Sequence, residues 1–186
     1  MALILASQSP RRKELLGYIT ENFTVKVSDA DESFDPSLPP EEIAKTLASI
    51  KGEAVFAFHP DDTVISADTI VVLGSSILGK PRSEQEAFSM LKSLSGKTHS
   101  VFTGVCILSG DKKICFAEKT EVNFCTLTDE DINSYIASKE PFDKAGAYGI
   151  QGRGCIMISS VNGDYYNVMG LPVARLYKAL KENNLL

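Results

Sequence analysis

Leu3 to Ala6 form a short, unbroken apolar run that predicts a buried strand. Ser9 and Pro10 then supply an N-cap and a favoured first helical residue, opening a helix that runs to about Gly17. Phe23 to Val27 alternates as a strand does, and the acidic, proline-bearing stretch SDADESFDPSLPP after it reads as a loop. From Pro40 to Phe58 the apolar positions recur at helical spacing, with Ile43, Leu47, Ile50, Ala54 and Phe58 on one broad arc. Val64 to Ala67 and Ile70 to Leu73 predict a pair of strands, followed by a glycine turn near Gly79. Ser83 and Glu86 form an S-x-x-E capping box that opens a helix to about Leu94.

Two further strands are expected over 100–108 and 114–126, joined through Ser-Gly-Asp, a hairpin signal. Thr128 with Asp131 caps the helix TDEDINSYIAS. The glycine-rich run DKAGAYGIQGRG leads into a strand, CIMISSV, and a helix from about Pro172 to Glu182 follows. Strands and helices mixed in this order, with a hairpin among them, predict an α/β fold whose mixed sheet is only partly parallel and is flanked by helices.

Composition narrows the function. The chain has 186 residues, 44% hydrophobic and 23% charged, which fits one domain over 1–186, of one lobe or two, able to bury a sizeable core. A formal net charge of −5 argues against nucleic-acid and membrane-surface partners. No apolar run approaches a membrane span, and the arginines of MALILASQSPRR follow the apolar stretch, the reverse of a secretory signal. The expected location is therefore cytoplasmic. Cys106, Cys115, Cys125 and Cys155 stand singly in apolar surroundings without CxxC or histidine spacing, which predicts buried, reduced thiols and no zinc site.

Several residues resist a purely structural account. Arg11 and Arg12 sit in the first turn of a helix, where the macrodipole is already positive, so an anion is expected there. Lys51 falls in the middle of the apolar arc of the long helix. It either snorkels to water or aims at a carboxylate or phosphate. Asp68 interrupts VISADTIVVL and must be paired, hydrogen-bonded or metal-bound; a turn aspartate satisfying nearby amides is the other reading. Thr69 beside it suits either case. Gly146, Gly149, Gly152 and Gly154 bare the backbone between Lys144 and Arg153, as in loops that approach phosphate or a base edge. Lys80 precedes a proline in LGKP. Cations from separate segments, with Asp68 and the Asp31-Glu32 pair as donors for a divalent ion, are the parts of a polyphosphate site.

The motifs LASQSPRRKELL, LASIKGEAV, SADTIVVLG, ILGKPRSEQEA, LSGKTHSVFTGV, DKAGAYGIQGRG and NGDYYNVMGLP, in this order, resemble those of the Maf family of nucleoside triphosphate pyrophosphatases, once described as septum-formation inhibitors. The resemblance covers the whole chain. It implies an elongated α/β fold of two lobes with a cleft between them, related to the inosine triphosphate pyrophosphatases. It also implies metal-dependent hydrolysis, with Mg²⁺ or Mn²⁺, of a nucleoside triphosphate to the monophosphate and pyrophosphate.

Asp68 matches the family's proton acceptor, while Arg11, Thr69 and Gln151 match positions associated with choosing the base. SPRR, SADT and GIQG are the forms of the dTTP/UTP branch; the branch acting on 7-methyl-GTP carries an aromatic residue after SP, SDQ for ADT and SEG for IQG. Gly52 replaces a more usual alanine, which should only soften its helix, and Ser83 replaces a more usual aspartate, which keeps the cap. The residues themselves make Ser9, Arg11, Arg12, Lys51, Lys80 and Lys144 the expected substrate-binding set, and the resemblance, by tying Arg11 to the base, leaves Arg12 as the phosphate clamp. Asp68 and Glu32 hold the metal, either of them serving as base. A homodimer rests on the resemblance alone. A non-catalytic nucleotide-binding regulator of cell division is the alternative, and a DNA-binding role would require a basic surface.

Overall fold

The computed structural model describes residues 2–186 except Ser28 and Asp31. The elements are β1 (Leu3–Leu5), α1 (Pro10–Gly17), β2 (Thr24–Val25), α2 (Pro40–Phe56), β3 (Thr63–Leu73), β4 (Ser76–Leu78), α3 (Glu84–Leu94), β5 (Thr98–Ser109), β6 (Lys112–Phe124), α4 (Asp129–Ala137), β7 (Ile158–Asn162), α5 (Tyr165–Met169) and α6 (Val173–Glu182). Three short 3₁₀ turns, Glu140–Asp143, Ala145–Ala147 and Gly152–Met157, lie between α4 and β7.

One mixed sheet has the order β2-β1-β3-β5-β6-β7, with β4 paired to β3. β1 runs parallel to both neighbours, with Leu3 beside Thr63 and Ile4 beside Thr24. β4 and β7 pair antiparallel, with Val71 beside Leu78 and Glu121 beside Asn162. The α/β class and the partly parallel sheet are as the hydrophobic pattern predicts.

The chain divides into two compact units. The first holds residues up to Thr69, Thr103–Glu118 and Tyr166–Leu186; the second holds Ile70–Phe102 and Lys119–Tyr165. In the first, Ile4, Ala6, Ala48, Val55, Val64, Cys106 and Leu108 form a continuous buried cluster under α2. α2 approaches the strands closely because Gly52 has no side chain: a Cβ there would stand 2.6 Å from Ser66 Oγ and 3.3 Å from Leu108 Cδ1. Gly52 is therefore a packing requirement and not merely a soft spot in a helix, because Ser66 Oγ already donates to the Ala48 carbonyl at 2.6 Å. In the second unit, Ala87, Leu91 and Leu94 of α3 and Ile132, Tyr135 and Ile136 of α4 are buried.

Local signals behave largely as expected. Ser9 accepts from Arg12 N at 3.4 Å, with Pro10 opening α1. Thr128 and Asp131 form the full reciprocal box. The Ser83 box is half made: Ser83 Oγ accepts from Glu86 N at 3.1 Å, whereas the Glu86 carboxylate takes Arg82 N at 2.8 Å.

Five expectations change. The predicted pair around ADT is one continuous strand of 11 residues, because Asp68 is held by an ion pair and needs no turn. The turn after it falls at Gly74, with φ of 60°, so β4 precedes Gly79. The second strand is regular over Thr24–Val25, with Lys26 N still donating to the Leu5 carbonyl at 3.1 Å, and Cys155 to Met157 lie in a 3₁₀ turn ahead of β7. The thiols are free, but only Cys106 is buried; Cys155 is exposed, since its 3₁₀ turn lies outside the sheet.

Candidate functional site

In the first unit, α2 and β3 bring together the two charges that disturbed their apolar patterns. Lys51 Nζ donates to Asp68 Oδ1 and also meets Glu32 Oε2 at 3.0 Å. The Lys51 and Asp68 side chains retain 23% and 13% exposure, so the pair is shielded but reachable, while Glu32 is exposed at 53%. Two carboxylates on one ammonium leave a local charge of −1. Hard oxygen donors of this kind suit Mg²⁺, which takes one or two protein carboxylates and completes its shell with water and phosphate. Among the described residues no cluster of three or more His, Cys, Asp or Glu could hold a metal alone, so the protein offers this two-carboxylate set. Asp31 lies outside the described residues.

Arg12 organises the adjoining polar centre. Its Nε donates to the Gly170 carbonyl at 2.8 Å, its Nη1 to Ser7 Oγ at 3.2 Å and its Nη2 to Thr69 Oγ1 at 3.0 Å. Burial draws this guanidinium below its ordinary value; the Asp68 charge opposes that, and the Arg11 charge adds to it. Arg11 itself is half-buried in the first turn of α1. Thr69 Oγ1 also hydrogen-bonds Thr103 Oγ1 at 2.9 Å, and Thr103 Oγ1 donates to the Asn167 carbonyl at 2.9 Å. Each hydroxyl has one proton. Thr103 spends its proton on Asn167, so Thr69 donates to Thr103. Thr69 can therefore meet a ligand only as an acceptor while this chain of bonds stands.

Ser7, Thr103, Asn167 and Gly170 belong to this centre and were not singled out from the sequence. Each falls inside a motif that carries the family resemblance, yet none is charged or breaks a local period, and Thr103 and Asn167 are both 0% exposed.

The second unit carries Lys80, Lys144 and Gln151. Lys80 is exposed in the loop after β4, and Gln151 is half-buried just ahead of the third 3₁₀ turn. Lys144 is engaged by its own loop, donating to the Glu140 carbonyl at 2.6 Å and pairing with Asp143 at 2.5 Å. The glycine-rich run is pinned at several points. Gly146 N donates to Gly79 O at 3.0 Å, joining this run to the LGKP loop. Gly149 N donates to Tyr135 Oη at 3.1 Å, and Arg153 N donates to the Glu140 carboxylate. A Cβ at Gly154 would lie 2.2 Å from the Gly149 carbonyl, so the fold of this loop excludes any larger residue there.

Tyr148 Oη hydrogen-bonds His99 Nε2 at 2.7 Å, and both rings pack edge-on with Phe124. Burial pushes the His99 imidazole down to about 4 and raises the Tyr148 phenol, so both stay neutral. Neither is an acid or base at neutral pH; together they fix the loop that carries Gln151.

Comparison with known proteins places these residues in context. A protein named dTTP/UTP pyrophosphatase from Bacillus cereus is 52% identical over 183 residues, covering 98% of this chain and 96% of its own. One of the same name from Bacillus mycoides is 52% identical over 180 residues, covering 97% and 94%. Among solved structures, the Staphylococcus aureus Ham1 protein superposes with a TM-score of 0.56 at 15% identity, covering 97% of this chain and 98% of its own. A HAM1 protein from Coxiella burnetii gives 0.53 at 14% identity, with the same coverage, and at such identity both speak for the fold alone. The family model described as Maf-like protein matches residues 2–183. With that match over nearly its whole length, the chain belongs to the Maf-like protein family.

Proposed function

We propose that this protein is a cytoplasmic nucleoside triphosphate pyrophosphatase that hydrolyses dTTP and UTP to the monophosphate and pyrophosphate, by attack of water on the α-phosphorus. The observation that carries it is the convergence of Lys51, Asp68 and Glu32 on one point beside the Arg12 centre, in a chain 52% identical to proteins named dTTP/UTP pyrophosphatase.

Lys51 is the residue that changes partner. In the free protein it neutralises two carboxylates; a triphosphate offers it a denser negative charge, and its transfer releases Asp68 to accept a proton from water. Glu32 and Asp68 would hold the divalent metal, which when bound supplies charge neutralisation on the phosphate oxygens. Asp68 acts as the base and Glu32 as the more committed ligand, since Glu32 is the more exposed of the two. Arg12 has committed three of its five N–H groups to Ser7, Thr69 and Gly170, which leaves two for a phosphate oxygen. Ser9 already accepts at the head of α1 and supports that turn. Lys80 supplies further positive charge, and Lys144 contributes by holding its loop. Gln151, with both a donor and an acceptor on its amide, suits the O4 and N3–H edge that uracil and thymine share. Arg11 and Thr69 complete the choice of base, Thr69 as acceptor only.

The test is incubation with dTTP, UTP, GTP and 7-methyl-GTP plus Mg²⁺, with the products resolved. Pyrophosphate with dTMP and UMP, in preference to the purine nucleotides, is the expected result. Release of orthophosphate, or no turnover, would contradict it. Asp68→Asn should lower kcat by at least about a hundredfold while the protein stays folded.

A further inference from the structure

Cys106 and Cys115 play no part in the chemistry above, yet they are placed as a pair. β5 ends at Ser109 and β6 begins at Lys112, joined by Gly110 and Asp111, with Gly110 at φ of 54°. Counting back from this two-residue turn sets Leu108 against Lys113, Ile107 against Ile114 and Cys106 against Cys115. Their sulfurs stand 2.8 Å apart. Directly opposed residues of an antiparallel pair have Cα atoms about 4.5–5.5 Å apart. A disulfide spans roughly 4.4–6.8 Å between Cα atoms, so the hairpin holds the two thiols where a bond could close with little backbone movement.

The two thiols are unequal in the way sequential oxidation needs. Cys106 is buried in the cluster under α2, whereas Cys115 is partly exposed. Around Cys115 stand Cys106, Ser49, Lys113 and Glu53, with Lys113 Nζ paired to Glu53 at 2.6 Å. The hydrogen bond shared with Cys106 draws the Cys115 thiol below its ordinary value; burial and Glu53 oppose the shift, and Lys113 favours it. The same bond and burial push Cys106 up. The accessible sulfur is thus the nucleophile, and the buried one stays protonated beside it.

We propose that Cys106 and Cys115 form a peroxide-oxidised dithiol, Cys115 reacting first and Cys106 resolving it to a disulfide within the β5–β6 hairpin. The Cys115 thiolate attacks one oxygen of hydrogen peroxide; the O–O bond breaks and hydroxide leaves, giving the sulfenic acid. The Cys106 sulfur then attacks that sulfur as the S–O bond breaks. Its proton departs with the hydroxyl as water, and two thiols have lost two electrons to the peroxide. A dithiol reductant reverses the change, so the site is suited to a transient response.

The experiment treats the full-length protein with one equivalent of hydrogen peroxide, blocks remaining thiols with N-ethylmaleimide, and maps peptides without reduction. Expected are loss of the mass of two hydrogens, a linked Cys106–Cys115 peptide, and blocked Cys125 and Cys155; dithiothreitol should reverse the loss. Cys106→Ser should instead leave a sulfenic acid on Cys115 that dimedone captures, and Cys115→Ser should slow thiol loss by at least about tenfold. If Cys106 and Cys115 are both recovered blocked after peroxide, or if the exposed Cys155 is consumed first, the proposal is wrong. The wild-type map alone decides this even if a variant fails to fold.

Discussion

Replacing Arg12 by lysine keeps the charge and removes the fork. In the native protein three different nitrogens of Arg12 reach the Gly170 carbonyl, Ser7 Oγ and Thr69 Oγ1. A lysine ends in one nitrogen and cannot satisfy three acceptors arranged around a planar group. Hydrogen bonds from a charged donor contribute about 1.5–3 kcal/mol each, and losing two at a partly exposed site should cost about 3 kcal/mol. That is a large share of the roughly 5–15 kcal/mol of an ordinary domain. Urea unfolding should therefore show the midpoint of Arg12→Lys lowered by about 1–2 M at a slope near 2 kcal/mol/M.

A double-mutant cycle sharpens the test. Thr69→Val removes one acceptor without changing the shape, so its effect and that of Arg12→Lys should fall short of additive by about 1 kcal/mol. An Arg12→Lys protein within about 0.5 kcal/mol of wild type, or strictly additive effects, would refute the role of Arg12 as the brace of this centre.

Acid should expose the buried histidine. His99 is 2% exposed and stays neutral to about 4 against an ordinary 6.5, so the unfolded chain takes up a proton between those values and the folded one does not. Stability is then full above pH 6.5 and falls as pH drops, by about 3 kcal/mol near pH 4; equal pH slopes for wild type and His99→Gln between pH 6.5 and 4.5 would refute this. Gly52→Ala, which in an open helix would stabilise by up to about 1 kcal/mol, should instead lower the thermal midpoint, and Ser66→Ala in the same chain should restore part of it. No loss in the single variant would mean that Ser66 yields freely. Tyr135→Phe removes the acceptor of Gly149 N–H, and should raise KM for dTTP with less effect on kcat, which steady-state kinetics will show; a fall in kcat at unchanged KM would place Tyr135 in the chemical step instead.

What could be read from the sequence was mainly what shows as a local anomaly. Lys51 in an apolar arc and Asp68 in an apolar strand each broke a period, and the structure makes each the other's partner. Caps and the Gly110 turn were equally visible, because a cap or a turn is decided within four residues. The Arg12 centre was not. Ser7, Thr103, Asn167 and Gly170 are uncharged and scattered, and Arg12 meets Gly170 across 158 residues, a relation no local period records. Lys144 shows the converse: beside glycines it resembles a ligand cation, yet its ammonium is taken by Glu140 and Asp143. The break predicted at ADT failed for the same reason. A carboxylate in a strand looks like an interruption until the lysine that neutralises it, 17 residues earlier, is known.

The central claim is water attack at the α-phosphorus by way of Asp68. It is tested most directly by turnover of dTTP in ¹⁸O-labelled water, with mass analysis of both products. The label should appear in dTMP and not in pyrophosphate, and Asp68→Asn should stop its incorporation. Label in pyrophosphate or in released orthophosphate, or normal incorporation by Asp68→Asn, would contradict the account.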